Sequence, residues 1–453
     1  MRKLLFSLLA IILVLSTVSC SPVQDSTTTQ TQDTTSTHTN TNTVIKTLTE
    51  QYGQYLKADT NYNSSPDVDD ATLQILVDGN NAFAFDLYKQ LISASDGNIF
   101  YSPYSISLAL AMTYAEANGQ TEEQMADVLH FLLEDEELHA AFNKLAIELN
   151  KRNTARQDYG IQGVQLNIAN AIWGQQDYEF MQAFLNVLAE NYDAGMRVLD
   201  YQSDPEACRK IINDWVSEQT NGKIKDLIPA GGINSLTRLV LTNAVYFKAT
   251  WMFPFEEEDT YDDTFYLADG ITANVPMMHQ TINLSYKDGR NYRAVELPYD
   301  TNTMSMVLIV PDEGSFADFE NSLTAESILS IVSSLDNRKL NLTMPRFKFE
   351  YKTGLKEILP DMGMTDAFSS AADFSGMTGV EALFIADVLH KAWVSVDEKG
   401  TEAAAATAVM MAGSAPPKDE PFDFTIDRPF IFLIMDNITD SILFIGRVVN
   451  PAE

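Results

Sequence analysis

The stretch Glu398-Lys-Gly-Thr-Glu-Ala-Ala-Ala-Ala-Thr-Ala-Val409 constrains the fold of this chain more than any other. It has a charged start, one glycine and then small side chains almost without interruption. Its alanines and valine can perform no acid–base, nucleophilic or metal chemistry. Met410-Met-Ala-Gly-Ser-Ala-Pro-Pro417 follows and reads as an exposed loop, and Phe424-Thr-Ile-Asp-Arg-Pro-Phe-Ile-Phe-Leu-Ile434 reads as a buried strand. Two readings fit the small residues. One is an alanine-rich helix or linker, since alanine is the best helix former. The other is a segment shaped to slide into a closely packed β-sheet, which Thr and Val suit once inside.

The amino terminus reads as a targeting signal. Arg2 and Lys3 precede an apolar run, Leu4 to Leu15, broken only by Ser7, and small residues lead to Cys20. The run is too short and wrongly flanked for a stable membrane span, so residues 1–19 are expected to be a signal peptide. Thr17-Val-Ser-Cys20 resembles the bacterial lipoprotein cleavage box, in which the cysteine is lipidated, although Thr17 stands where an aliphatic residue is usual; ordinary signal cleavage is the alternative. The chain has two cysteines, Cys20 and Cys208. With Cys20 lipidated, Cys208 has no intramolecular partner, and it reads as a small apolar residue of a helix rather than a reactive thiol. Ser21 to Thr43 is too polar to offset its ordering entropy. Val44 to Leu56 reads as a short weak helix, and residues 20–70 as a whole as a flexible tether spanning on the order of 40 Å. The expected location is the outer face of a cell membrane, reached only through the lipid, or the medium.

Residues 71–453 are expected to form one large domain, with no Pro/Gly-rich linker and no internal repeat. Helical and strand patterns mix without regular βαβ alternation, so the class is α+β. Helical periodicity covers Ala82–Ser93 and Pro103–Ala117, with a new start at Gln120-Thr-Glu-Glu123. Arg238–Phe247 and Met304–Pro311 read as central strands, and Leu340–Phe349 as a half-exposed one. The net charge of −33 leaves no basic stripe for a nucleic-acid backbone. The acidic runs Glu134–Glu137 and Glu256–Asp259 lack the spacing and turn glycine of a calcium loop and read as solvated surface, so no metal is expected. Five histidines are present, none in a zinc-type helix motif, and neither a nucleophile elbow nor a phosphate loop occurs. The chain is therefore not expected to be an enzyme or to need a cofactor.

From about Leu76 to Pro451 the chain resembles the serpins. Asn98-Ile-Phe-Tyr-Ser-Pro-Tyr-Ser105, Ile212-Asn-Asp-Trp-Val216 with Thr220-Asn-Gly-Lys-Ile224, and Thr242-Asn-Ala-Val-Tyr-Phe-Lys-Ala-Thr-Trp251 are similar to landmarks of that family. So are Val275-Pro-Met-Met278, Glu296-Leu-Pro-Tyr299, Met344-Pro-Arg-Phe347, Leu389-His-Lys-Ala392 and Arg428-Pro-Phe430, in the same order. The resemblance implies three β-sheets, about nine helices and an exposed reactive-centre loop whose cleavage lets its upstream half insert into the main sheet. It also implies a function: suicide inhibition of a serine protease by a monomer.

Site residues follow from the same resemblance. The hinge is Glu398, Gly400, Thr401, Glu402, Ala403, Ala404, Ala405 and Ala406. Ser102, Ser105, Asn243 and His390 match the shutter, where the sheet opens, and Trp251 and Arg346 match the breach, with Arg346 paired to Glu398. If Thr401 points inward, Ala403, Ala405, Thr407, Val409 and Met411 share its face, while Glu402 points out. The family spacing places the reactive bond between Ser414 and Ala415, with Met410 or Met411 as second choices and Lys418 third. Ser414 fits the narrow primary pocket of an elastase-like or subtilisin-like protease. The alternative is a surface binding protein or chaperone that uses the same fold without trapping a protease.

Overall fold

A computed structural model of the protein describes residues 45–152, 164–268, 270–380, 383–401 and 420–452. In chain order its strands are β1 (Ile45–Glu50), β2 (Gly53–Ala58), β3 (Ile99–Tyr101), β4 (Gln165–Gln175), β5 (Met196–Leu199), β6 (Leu239–Thr250), β7 (Tyr261–Tyr266), β8 (Thr272–Asp288), β9 (Tyr292–Pro298), β10 (Met304–Pro311), β11 (Asp336–Pro345), β12 (Phe347–Gly354), β13 (Ile385–Asp397), β14 (Gly400–Thr401), β15 (Phe422–Thr425), β16 (Phe430–Asp436) and β17 (Ser441–Val448). The helices are α1 (Asp70–Ala94), α2 (Pro103–Tyr114), α3 (Gly119–Leu129), α4 (Asp135–Asn150), α5 (Gln182–Tyr192), α6 (Pro205–Gln219) and four short ones, α7 (Phe316–Asn321), α8 (Ala325–Ser333), α9 (Ile358–Met362) and α10 (Ser375–Thr378).

The strand β6 is apolar at most positions and buried along its length except at Lys248, as a strand covered on both faces must be. It is the centre of an eight-stranded sheet ordered β1-β2-β5-β4-β6-β14-β13-β12. The other strands form a second hydrogen-bonded array, β15-β11-β8-β9-β10-β16-β17-β3, with β7 on the flank of β8. The long β8 runs without a break from the part that carries β7 into the part that carries β9. Two of the three expected sheets are therefore continuous through its hydrogen bonds. The main core lies between the two arrays and is closed by α1 and α2, whose buried side chains include Phe83, Tyr88, Ile106 and Leu110.

On its other face the large sheet is covered by α6. Ile212, Trp215 and Val216 of that helix form a second apolar cluster with Trp173 of β4, Leu199 of β5, Val240 and Ala244 of β6 and Leu389 of β13. Cys208 is buried in this cluster, as its helical context predicted.

Three expectations change. The segment read as a weak helix within the tether is the hairpin β1–β2, which extends the large sheet through β5. Leu340–Phe349, read as one strand, turns a corner at Arg346: β11 belongs to one array and β12 to the other. Phe424–Ile434 is likewise divided into β15 and β16, because Pro429 has no donor to continue a ladder.

Candidate functional site

The site is the seam between β6 and β13. Over most of its length these strands pair directly and in parallel, from Ile385 with Leu239 to Trp393 with Tyr246. At the upper end they part to admit β14. Thr401 pairs with Ala249 on one side and Val396 on the other, and Gly400 with Thr250 and Asp397. The first two uncharged residues of the hinge thus already form a strand, antiparallel to both neighbours. Gly400 has φ +153°, and a Cβ there would overlap the Ala249 carbonyl oxygen, so only glycine fits. Thr401 points inward and is 1% exposed. Its Oγ1 lies 2.7 Å from the Tyr299 hydroxyl. Tyr299 is stacked on Trp251 at 4.7 Å and 6°.

The loop base is held from several sides. The Trp251 indole donates to the Asp397 carbonyl at 2.9 Å, and the Trp251 and Phe255 amides donate to the Lys399 and Glu398 carbonyls. Asp397 Oδ1 in turn accepts from the amides of Lys399 and Gly400. The Arg346 Nε donates to Glu398 at 2.8 Å, and Thr260 Oγ1 donates to the same carboxylate at 2.6 Å. Glu398 is buried while Arg346 is partly exposed. Burial alone would raise the Glu398 carboxyl; the bonds from Thr260 and Arg346 outweigh it and hold the group below its ordinary value.

Below the hinge, a polar cluster crosses the closed seam. Ser102 caps α2, with its hydroxyl accepting from the Ser105 amide at 3.2 Å and Pro103 at the first helical position. This turn aims Ser105 at the sheet. Asn243 Nδ2 donates to Ser105 Oγ at 2.6 Å and to Asn170 Oδ1 at 2.7 Å. The Ser102 amide donates to His390 Nε2 at 3.3 Å, and His390 Nδ1 donates to Asn243 Oδ1. Both ring nitrogens are therefore used by the neutral imidazole. Burial pushes the His390 pKa down to about 3, and protonation would set a new N–H against the Ser102 amide.

The match to known proteins coincides with this geometry. Residues 78–451 match the family profile described as Serpin (serine protease inhibitor). The chain belongs to the serpin family. An uncharacterised serpin-like protein of Thermococcus kodakarensis is 42% identical over 83% of this chain and 86% of its own. The leukocyte elastase inhibitor of Bos taurus is 40% identical over 82% of this chain and 98% of its own. Among solved structures, the thermophilic serpin tengpin in its native state superposes with a TM-score of 0.75 at 31% identity, covering 86% of this chain and 97% of that one. Serpins as a family are generally protease inhibitors rather than enzymes.

In this serpin the residues expected at the shutter do converge, as do Trp251, Arg346, Glu398, Gly400 and Thr401 at the breach. Glu402, Ala403, Ala404, Ala405, Ala406, Met410, Met411, Ser414 and Ala415 lie outside the described residues, as does Cys20. Three site residues escaped the sequence reading. Asn170 sits inside β4 with no motif around it. Tyr299 belongs to the quoted Glu296-Leu-Pro-Tyr299 landmark, but nothing local shows that it meets Thr401. Thr260 follows the acidic run, and only its distant partner Glu398 gives it a role.

Proposed function

We propose that this serpin is a suicide inhibitor of serine proteases of elastase-like or subtilisin-like specificity. It acts as a monomer held outside the cell, with a lipid on Cys20 as its only membrane contact and no nucleic-acid partner. The observation that carries the reading is the strand β14. Continued in the register of Thr401, the hinge passes between residues of β6 and β13 that already face each other. Thr407 then arrives between Asn243 and His390, on the inward face. Its hydroxyl supplies a polar group where the bond between those two side chains has to part. No residue from Glu402 to Met411 is proline, so each can donate to the growing ladder.

The chemistry is the protease's own. Its serine oxygen attacks the Ser414 carbonyl carbon, an ester forms, and the Ser414–Ala415 peptide bond breaks to release the Ala415 amine. The freed upstream segment then enters the seam with the acylated protease attached. Each inserted residue replaces a parallel contact by two antiparallel ones, which are slightly more stable per residue. The name of the bovine relative, an inhibitor of leukocyte elastase, agrees with a narrow-pocket target.

Incubation of the full-length chain with an elastase-like and a subtilisin-like protease tests this. A covalent complex surviving denaturing electrophoresis, with a released fragment beginning at Ala415, is the expected result. A fragment beginning at Asp419 would point to a trypsin-like target. Cleavage of the loop without any complex would transfer the function to the scaffold alone.

A further inference from the structure

The hairpin β1–β2 lies before the family match, which begins at residue 78. It nevertheless belongs to the sheet that must open. β2 pairs with β5 through Gln54 with Val198, Tyr55 with Arg197 and Leu56 with Met196. Gly195 allows this approach, since a Cβ there would overlap the Leu56 carbonyl oxygen. Lys57 reaches Asp193 at 2.6 Å, and Thr60 Oγ1 donates to Asn186 of α5 at 2.7 Å.

The hairpin also grips α6. Tyr52, in its turn, donates its hydroxyl to Glu218 in the last turn of that helix. The Arg197 guanidinium lies 4.8 Å from the Tyr55 ring, 5.7 Å from Trp173 and 5.6 Å from Trp215. One cation is thus held against the hairpin, the sheet and the helix together. The helix in turn roofs the seam, because its apolar cluster contains Val240 and Ala244 from one side and Leu389 from the other. A strand entering in the register of Thr401 passes directly under that cluster, so α6 has to lift.

We propose that the β1–β2 hairpin is a clasp that fastens α6 to the edge of the large sheet and slows entry of the reactive loop. The clasp rests on the loop-insertion reading above and adds a control to it. Its pairing with β5 is level with Trp173, about nine residues below the level of Thr401, or about 30 Å along the strands. It therefore acts on the sheet and leaves the protease-facing end free.

The test uses the full-length chain and three variants. Tyr52→Phe keeps the ring and removes the bond to Glu218, Glu218→Gln weakens the same bond, and Arg197→Gln removes the shared cation. The uncleaved proteins are held warm, below their unfolding transition. The rate measured is conversion to a heat-resistant form that no longer traps protease. Loss of one such charged bond or cation contact is expected to accelerate conversion about 3–10-fold. The Tyr52→Phe/Glu218→Gln double variant should convert no faster than the quicker single one. Amide exchange at residues 54–56 should be slow in the parent and faster in the variants. Conversion of all three variants within twofold of the parent, or fast exchange at 54–56 in the parent, overturns the clasp. Nicking the parent's loop separates the two readings. If the nicked parent gains heat resistance while the variants convert at the parental rate, the clasp alone fails; if it gains none, insertion fails and the clasp with it.

Discussion

At its upper end the seam between β6 and β13 is filled by Gly400 and Thr401. At its middle the same two strands bond directly to each other, around Asn243 and His390. The upper end is open backbone, already separated by one strand's width and lined by Tyr299, Trp251 and the Arg346–Glu398 pair. The middle is shut by a buried network in which almost every polar atom has a partner within the cluster. The contrast separates two tasks. Under the proposed insertion mechanism, the upper end would start the inserted strand and the middle would set how hard the sheet is to part. Partly satisfied buried networks are costly, so the middle resists opening until an incoming polar residue replaces what is lost.

The sharpest way to break this division is Thr401→Arg. A charge would have to enter the site that Thr401 fills beside Tyr299, without a partner, at a cost on the order of several kcal/mol. The loop should still be cut at the same bond, yet no gel-stable protease complex should form; undiminished trapping would exclude strand entry at this point. Next in size is Asn243→Ala, which takes partners from Ser105, Asn170 and His390 together. The uncleaved protein should lose about 2–4 kcal/mol in denaturant titration, and a loss under 1 kcal/mol would show that the middle of the seam is not held by this network.

At the breach, Arg346→Gln removes the cation paired with the buried Glu398 and keeps the bond from Thr260. Because Arg346 is partly exposed, the expected loss is only about 1–2 kcal/mol. It should shrink as pH falls through the depressed Glu398 value, since the carboxylate's contribution is present above its ordinary pKa and lost below the lowered one. His390 has the same sign for a different reason. Its native pKa is about 3, so below the ordinary histidine value the unfolded chain binds a proton that the native state does not. Stability should fall by about 1.4 kcal/mol per pH unit for this group as pH drops from about 6.5 toward 3. His390→Gln should flatten that slope in pH-dependent unfolding.

The smallest expected effect is none. Of the basic residues of and just after α4, Lys144 and Lys151 pair with Glu148 and Arg152 with the buried Asp436, while Arg156 lies outside the described residues. Added heparin at physiological salt should leave the inhibition rate unchanged, and a large acceleration would overturn this.

Much of the functional end was legible because its residues stand in short, ordered landmarks. Thr401 and Gly400 follow a charged start, and Ser102 and Ser105 open a helix through a serine cap and a proline. These are local devices, readable in a window of ten residues. Asn170 and Tyr299 act through partners on other strands, and no local pattern announces them. The hairpin was misread for the same reason. Its threonines, lysines and glutamines look like tether, and among its described side chains Ala58 is buried while Leu56 and Tyr52 are partly so. It is held by backbone pairing to β5, about 140 residues away. Edge strands depend on such distant partners, so composition alone cannot separate them from a linker.

The continuous register of the seam makes it a ruler. In the pairing that Thr401 has begun, the lower end of β6, at Leu239, falls opposite residue 411. A chain cut after Ser414 would deliver the acyl bond three residues beyond that end, clear of the sheet and against the far rim of the molecule. A chain cut after Met410 would bring the same bond to a halt still between β6 and β13, where a bulky enzyme has no room. Under the proposed insertion mechanism, the length of the seam would therefore favour Ser414 over Met410 and set the stopping point of the passenger.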